Sequence, residues 1–349
     1  MTAPAPAPGA LMTAEIAQQP DVLRRVLADP AEVTDAAARI RRAAPRFVVI
    51  AARGTSDHAA LYGKYLAEIR MGLPAGLASP SSLTVYGARP DLTDVLFLAV
   101  SQSGGSPDLV DSITAARECG ALTVAVTNAP ASALAAAAEV HVDVRAGVEQ
   151  AVAATKTYTA ELIALYLLLA GEGAAARAAG LPDAAAATLA LGSAAVAAAA
   201  ARYRYTSRVV TTARGYSYPT AREAALKLME TSYLSAQAFS GADLLHGPLA
   251  MIDANVPVIA VTSAGRGGSA MIPVVDRLRE SGADVLQVGA PAGMALAPDG
   301  VPIAAEGIDE ELLPVLEILP LQQLAGQLAI NRGADPDRPR GLSKVTRTW

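Results

Sequence analysis

Short, continuously apolar runs alternate along the chain with longer stretches of helical periodicity. The apolar runs of the first half, which are rich in Val and Ile and predict strands, lie at 47–52, 95–100, 122–127 and 140–144. The stretches that predict helices follow at 57–71, 106–118, 131–138 and 153–171. Strands without a polar face, each followed by a helix, are typical of a parallel sheet that helices cover on both faces.

The same pattern then occurs a second time. Strands are predicted at 208–212, 257–262, 284–288 and 301–304, and helices at 184–202, 218–233, 266–281 and 309–332. The number of residues from the turn at 53–56 to Ser101 is similar to the number from the turn at 214–217 to Thr262. We therefore expect an α/β protein with two tandem domains. The predicted boundaries are 1–11 (disordered), 12–45 (helical), 46–180 (first domain), 181–335 (second domain) and 336–349 (tail).

The amino-acid composition argues against several classes of protein. A net charge of −5 over 349 residues argues against a nucleic-acid binder driven by a basic field, and 52% hydrophobic residues argue against disorder. A single cysteine, Cys119, allows no intrachain disulfide and no thiolate metal cluster, and the three histidines lack the spacing of a zinc site, so no zinc site is expected. The first residues do not resemble a signal peptide and the uncharged run 184–201 is mostly alanine, so we expect a cytoplasmic protein that binds no membrane.

The segment 101–108, SQSGGSPD, follows a predicted strand and opens a predicted helix. Ser106 is suited to be the N-cap of that helix and Pro107 to be its first residue. Backbone amides at a helix start, two glycines and three hydroxyls are suited to a phosphate group. Since no lysine follows the glycines as in a nucleotide-binding P-loop, a phosphosugar fits better than ATP. The alternative is an ordinary Ser/Gly turn.

Two further turns carry small and hydroxyl-bearing residues. The segment 53–56 contains Thr55 and follows a strand, and the segment 152–156, VAATK, opens a helix. Turns at the carboxyl ends of strands are where open α/β sheets bind ligands. Each turn is weak evidence by itself, but together the three predict a ligand cleft.

The second half contains the residues that are suited to proton transfer. Glu223, Lys227 and Glu230 fall at positions i, i+4 and i+7 and share one helix face, although such a row is also typical of a solvated ion-pair stripe. His246, beside Gly-Pro, is either structural or an acid/base partner for a nearby glutamate. Lys344 lies in a polar tail, where frayed surface is the default expectation. With only four lysines among 28 basic residues, each lysine is a candidate for a role that arginine does not fill.

These motifs together resemble the tandem sugar isomerase (SIS) family. The matching strings of the first half are Gly54-Thr55-Ser56, Ser101-Gln102-Ser103-Gly104 and Val152-Ala153-Ala154-Thr155-Lys156. Those of the second half are Glu223 to Glu230, His246-Gly247-Pro248 and Pro339-Arg340-Gly341-Leu342-Ser343-Lys344. The resemblance extends from about Met12 to the last residues. It is strongest to the isomerase domain of glucosamine-6-phosphate synthase and to SIS-type glucosamine-6-phosphate deaminases.

The resemblance implies two flavodoxin-like three-layer domains and a role for each matching residue. Glu230 matches the base that moves a proton between C1 and C2, and Lys227 a lysine that assists it. His246 matches the residue that opens the pyranose ring and reaches the site from the partner subunit of a homodimer. Lys344 matches the lysine that reaches the open-chain carbonyl. The residues that match phosphate- and sugar-binding positions are Thr55, Ser101, Gln102, Ser103, Ser106 and Val152.

The sequence also departs from the family. A glutaminase domain with a nucleophilic first cysteine has no counterpart, because the chain begins Met1-Thr2, so we expect no glutamine-dependent synthesis by this chain alone. Met229 replaces a second lysine, and the approach to His246 is less polar than in the family. The expected activity is deamination and isomerisation of glucosamine 6-phosphate. The alternatives are deglycation of a fructosamine 6-phosphate, isomerisation of another hexose phosphate, and phosphosugar sensing without catalysis.

Overall fold

The computed structural model describes residues 7–290 and 296–344, which form two compact units. The first-sheet unit comprises residues 21–149 and 156–179. The second-sheet unit comprises the described residues up to Pro20, the short segment 150–155 and residues 180–344. Its first helix, α1 (Ala10–Ala17), begins two residues before the start that the sequence predicts. Residues 1–6 of the predicted disordered segment and residues 345–349 of the predicted tail lie outside the described residues.

The first-sheet unit contains a five-stranded parallel sheet in the order β2-β1-β3-β4-β5. Its strands are β1 (Phe47–Ala51), β2 (Ala75–Leu77), β3 (Val95–Ser101), β4 (Leu122–Thr127) and β5 (Val140–Asp143). The helices of this part of the chain are α2 (Gln19–Ala28), α3 (Ala31–Ala43), α4 (Thr55–Leu66), α5 (Pro80–Thr84), α6 (Pro107–Glu118), α7 (Ala133–Ala137), α8 (Lys156–Leu169) and α9 (Ala174–Arg177). Every residue of α8 is buried, which makes it the central helix of this unit.

The second-sheet unit repeats this topology, with the parallel order β10-β9-β8-β6-β7. Its strands are β6 (Arg208–Ala213), β7 (Ser235–Ser240), β8 (Val258–Val261), β9 (Val285–Gly289) and β10 (Val301–Pro302). Its further helices are α10 (Leu181–Leu191), α11 (Ser193–Arg202), α12 (Tyr218–Ser232), α13 (Gly241–Leu245), α14 (Arg266–Ser269), α15 (Ile272–Glu280) and α16 (Leu313–Asn331).

Helix α16 is the central helix of the second-sheet unit and packs against α12, α11, α10 and α1. Together with the preceding turn it forms a segment, Glu310–Asn331, that is long and apolar enough to cross a membrane, but 83% of its apolar window is buried inside the protein. Burial of this extent is what a core helix shows.

The predicted fold class is confirmed: both halves of the chain form parallel sheets flanked by helices. The sequence does not predict β2 and β7, which are the edge strands on the corresponding sides of the two sheets. An edge strand has one neighbour and needs less apolar surface, so the short AGL of β2 and the half-polar SAQAFS of β7 lack the continuous apolar run of a central strand.

Candidate functional site

The strand order of the first sheet reverses between β1 and β3, and open α/β sheets bind ligands at such a switch point. Thr55, the first residue of α4, follows β1, and the loop 101–106 follows β3. An ion pair of 2.7 Å between Arg53 and Asp108 joins the two segments directly. The structure therefore brings Thr55 and the serines of the predicted phosphate loop to one edge of this sheet.

Hydrogen bonds fix the shape of the loop 101–106. The hydroxyl of Ser101 accepts from the amide of Gly104 at 3.1 Å, and that of Ser103 accepts from the amide of Gly105 at 3.3 Å. The carbonyl of Gly104 in turn accepts from the amide of Leu134 at 3.1 Å. Gly104 has φ of 59°, and a Cβ there would lie 2.1 Å from the hydroxyl of Ser132. Only glycine fits this position, and the shape of the loop is fixed by its own hydrogen bonds and by its packing against Ser132.

Ser106 is the N-cap residue of α6 and Pro107 its first residue, as the sequence predicts. The side chain of Ser106 makes no capping hydrogen bond. A helix start whose first amides have no side-chain acceptor is suited to bind an anion. Asp108, in the first turn, is buried and carries a negative charge there, which its ion pair with Arg53 balances. The sequence does not single out Asp108, because acidic residues are common in a first helical turn.

A hydrogen bond within the first-sheet unit holds the turn after β1 in place. The hydroxyl of Ser56 donates a hydrogen bond of 2.8 Å to the carboxylate of Glu161, a fully buried residue of α8. This bond ties the start of α4, where Thr55 lies, to the central helix. The available sequence signal is Glu161 itself, the sole acidic residue of a mostly apolar helix.

The row of Glu223, Lys227 and Glu230 forms in the second-sheet unit, on α12. Nζ of Lys227 lies 3.2 Å from Glu223 and 2.5 Å from Glu230. Glu223 and Lys227 have no exposed surface, whereas 21% of the Glu230 side chain is exposed. The solvated ion-pair stripe is thus the wrong interpretation. Burial disfavours the charged amine, but the two carboxylates outweigh it and raise the pKa of Lys227, so the lysine stays protonated.

Lys344 also lies in the second-sheet unit and is held by a contact. Its Nζ donates a hydrogen bond of 2.6 Å to the carbonyl of Ala151, the residue before Val152. The carboxylate of Glu15 accepts from the amide of Ala151 at 3.2 Å, and the side chain of Gln322 donates to the carbonyl of Thr155 at 3.1 Å. The tail lysine and the half-buried Val152 are therefore brought to one short segment, and the expectation of a frayed tail is wrong as far as Lys344.

His246 follows α13 and is exposed. In the part of the chain that the structure describes, no hydrogen bond or ion pair joins its ring to Glu230. Lys156 belongs to the first-sheet unit, where its Nζ donates to the carbonyl of Val148 at 2.5 Å. Among the described residues no group of three His, Cys, Asp or Glu is placed to hold a metal ion.

Another buried acid, Glu317 of α16, lies next to the turn after β6. It accepts hydrogen bonds from Ser217 at 2.8 Å and from Thr220 at 3.2 Å. Burial raises its pKa to about 7, against the lowering effect of hydrogen bonds from Ser263, Ser217 and Thr220. The pair of Ser217 and Glu317 repeats the pair of Ser56 and Glu161 in the other unit.

Comparison with known proteins agrees with this architecture. Glutamine–fructose-6-phosphate aminotransferase (isomerizing) of Gloeobacter violaceus is 34% identical over 356 residues, which cover 95% of this chain and 58% of that protein. The chain thus spans little more than half the length of this relative.

Two solved structures extend the comparison. A protein of Silicibacter pomeroyi described as a candidate phosphosugar isomerase shares 34% of its sequence at a TM-score of 0.84, with 93% of this chain and 99% of that chain covered. Glucosamine-6-phosphate deaminase of Thermotoga maritima, at 19% identity, shares the fold with a TM-score of 0.78, covering 97% of this chain and all of that chain.

The family itself is given by a sequence profile described as SIS domain. It matches residues 43–171 and again residues 203–331, so that each match contains one of the two parallel sheets. The chain therefore belongs to the SIS-domain family and carries this domain twice.

Proposed function

We propose that the chain converts glucosamine 6-phosphate and water to fructose 6-phosphate and ammonia. The observation that carries this proposal is Glu230, which is partly exposed at the end of an ion-pair row whose other members, Glu223 and Lys227, are fully buried. A carboxylate that is paired with a buried lysine and still reaches the surface is suited to take a proton from one carbon and return it to the next.

The reaction needs only proton transfers and the addition of water, so no metal or organic cofactor is required. In the open-chain substrate, C1 is an aldehyde and C2 carries the amine. Glu230 takes the proton from C2 and delivers it to C1. The carbonyl oxygen on C1 gains a proton and the amine on C2 loses one, so that C1 becomes an alcohol and C2 an imine. Water adds to the imine carbon, ammonia leaves, and the ketone of fructose 6-phosphate remains.

The other residues bind and orient the substrate in this proposal. The loop 101–106 holds the 6-phosphate, and its fixed shape lets a remote group keep the open chain in register. Lys344 reaches the carbonyl and Lys227 assists proton transfer. His246 opens the ring, and its exposure is compatible with delivery to a second copy of the chain in a homodimer. The residues proposed to contact phosphate or sugar are Thr55, Ser101, Gln102, Ser103, Ser106 and Val152.

The deaminating direction follows from the supply of ammonia. Cys119, the sole cysteine of the 349 residues, directly follows α6, about 20 Å along the helix axis from the serine loop. A thiol at this distance is not placed to release ammonia from glutamine at the proposed site. We propose that the enzyme works in the cytoplasm, where hydrolysis to fructose 6-phosphate is the favoured direction at low free ammonia.

The test is a coupled assay of ammonia and fructose 6-phosphate released from glucosamine 6-phosphate. The wild type is expected to release both in equal amounts, and Glu230→Gln to lose about 10²- to 10⁴-fold in kcat. Glu306→Gln, which changes an exposed loop residue of the same unit, serves as the matched control and is expected to keep the wild-type rate. A wild-type rate no higher than that of Glu230→Gln would contradict the proposal.

The same assay separates the alternatives. Turnover of a fructosamine 6-phosphate or of another hexose phosphate, without release of ammonia from glucosamine 6-phosphate, assigns the site to a deglycase or to a ketose/aldose isomerase. Binding of hexose phosphates without any turnover assigns it to a sensor. The buried Lys227 between two carboxylates argues against the sensor, because binding alone does not require a desolvated charge cluster.

A further inference from the structure

The second sheet has the same switch point as the first. Its order reverses between β6 and β8, just as the first sheet reverses between β1 and β3. The middle strand β8 is followed by the loop 262–269, TSAGRGGS, as the middle strand β3 is followed by the loop 101–106. Each half of the chain therefore carries a glycine-rich loop at the place where open α/β sheets bind ligands.

The loop of the second sheet is already occupied by a side chain. The carboxylate of Glu310 accepts a hydrogen bond of 2.7 Å from the backbone amide of Gly267. Gly265 has φ of 114°, and a Cβ at this position would lie 2.3 Å from Cδ of Glu310 and 2.6 Å from Oε2. The backbone of the loop is therefore wrapped closely around a carboxylate.

The two loops differ in what satisfies their amides. In the loop 101–106, the amides of Gly104 and Gly105 are bonded by hydroxyls of the same loop, Ser101 and Ser103. In the loop of the second sheet, the acceptor for Gly267 comes from a separate segment, the turn Glu310–Leu312 that precedes α16. A carboxylate and a phosphate both accept hydrogen bonds from backbone amides through negatively charged oxygens.

We propose that the loop 262–269 is a second anion-binding site whose anion is the carboxylate of Glu310, so that a phosphate monoester enters only when this carboxylate is removed. Each chain then takes one hexose phosphate, at the loop 101–106, although it carries two loops of similar position. The binding of one hexose phosphate per chain rests on the proposed function of the loop 101–106. The occupancy of the loop 262–269 by Glu310 does not depend on that function.

The charges around the loop agree with an internal anion. Glu310 lies close enough to Glu317 to contribute to the raised pKa of that acid. A phosphate would place at least one further negative charge beside the Glu310 carboxylate, and like charges repel. Removal of the Glu310 carboxylate has two effects: it frees the amide of Gly267, and it removes this repulsion.

The experiment measures the number of bound ligands per chain by calorimetric titration, with fructose 6-phosphate in one arm and inorganic phosphate in the other. The wild type is expected to bind one fructose 6-phosphate and Glu310→Ala two. In Ser101→Ala/Ser103→Ala, binding is expected to be lost, and addition of Glu310→Ala to this background restores one site. Filling of the second site by both ligands supports the proposal, whereas filling by inorganic phosphate alone would contradict entry of a phosphate monoester.

Glu306→Ala is the control, because it removes an exposed acidic charge of the same unit without touching the loop. It is expected to leave the stoichiometry at one. Two bound ligands in the wild type, or no gained site in a Glu310→Ala protein that unfolds at the wild-type temperature, would overturn the proposal. The deaminase assay is independent of this outcome, since a chain without turnover still reports its number of phosphate sites.

Discussion

Nζ of Lys227 lies 2.5 Å from the carboxylate of Glu230, and the two partners differ sharply in exposure: the lysine has no accessible surface, whereas 21% of the glutamate side chain is accessible. Glu223, which is fully buried, lies on the other side of the lysine at 3.2 Å. The charged row is therefore fully buried at Glu223 and Lys227 and reaches the surface only at Glu230.

Substitution of Lys227 by methionine leaves the carboxylate of Glu223 buried without its partner. Removal of one member of a buried ion pair typically costs about 3–5 kcal/mol. We expect Lys227→Met to lower the free energy of unfolding by this amount and to abolish deamination. Urea denaturation followed by circular dichroism measures the first effect, and the coupled assay measures the second.

Lys64 provides the matched control for this substitution. It also pairs with a glutamate on its own helix region, Glu68 at 2.7 Å, but both side chains are partly exposed, at 28% and 35%. An exposed pair of this kind contributes about 0–1 kcal/mol. Equal losses of stability in Lys64→Met and Lys227→Met would contradict the account of a desolvated cluster on α12.

The fold could be predicted from the sequence where burial is complete. The central strands β1, β3 and β4 are covered on both faces, so their apolar runs stand out against the helices between them. The edge strands β2 and β7 gain their structure from pairing with one neighbour, which a local pattern does not record.

The same distinction applies to the site. The spacing of Glu223, Lys227 and Glu230 predicts a shared helix face, but the burial that makes the face chemically useful depends on packing of α12 against α16. The partners of Glu161 and Glu310 are about one hundred and about forty residues distant along the chain. Such long-range pairs are set by tertiary structure, so no local sequence motif predicts them.

Glu317 makes the stability of the protein depend on pH. Burial, the largest cause, raises its pKa in the folded protein to about 7 from an ordinary value of 4.5. Between these two values the unfolded chain has lost the proton that the folded chain keeps, so stability is fully present below 4.5 and falls as the pH rises to 7. The shift corresponds to about 3 kcal/mol.

The variant Glu317→Gln removes this titration and keeps an acceptor for Ser217. We expect the stability of the wild type relative to Glu317→Gln to fall by about 3 kcal/mol from pH 4.5 to pH 7.5. Denaturant titrations at several pH values measure this difference, and exposed Glu306→Gln gives the background. A difference that stays constant over this range is incompatible with a raised pKa at Glu317.

Loss of the hydrogen bond between Ser56 and Glu161 is expected to weaken substrate binding through the position of Thr55. In Ser56→Ala a fully buried carboxylate loses the hydrogen bond of 2.8 Å that the Ser56 hydroxyl donates to it, which costs about 1.5–3 kcal/mol of stability. Since the start of α4 is then no longer tied to α8, KM for glucosamine 6-phosphate should rise more than kcat falls. The repeat-related Ser217→Ala is the comparison: a similar loss of stability without the change in KM is expected there.

Gly104→Ala tests whether the phosphate loop depends on its close packing. The substitution places a Cβ 2.1 Å from the hydroxyl and 2.5 Å from Cβ of Ser132, so the loop has to move away from α7. Gly87→Ala is the matched control, because Gly87 has a similar φ of 66° but nothing within 4 Å of the added Cβ. Both variants carry the strain of a positive φ, about 1 kcal/mol, and only Gly104→Ala carries the clash. We expect KM for glucosamine 6-phosphate to rise at least tenfold in Gly104→Ala and to stay unchanged in Gly87→Ala. Addition of Ser132→Gly to Gly104→Ala should recover most of the lost affinity, and a double variant as weak as the single one would show that strain, not the clash, displaces the loop.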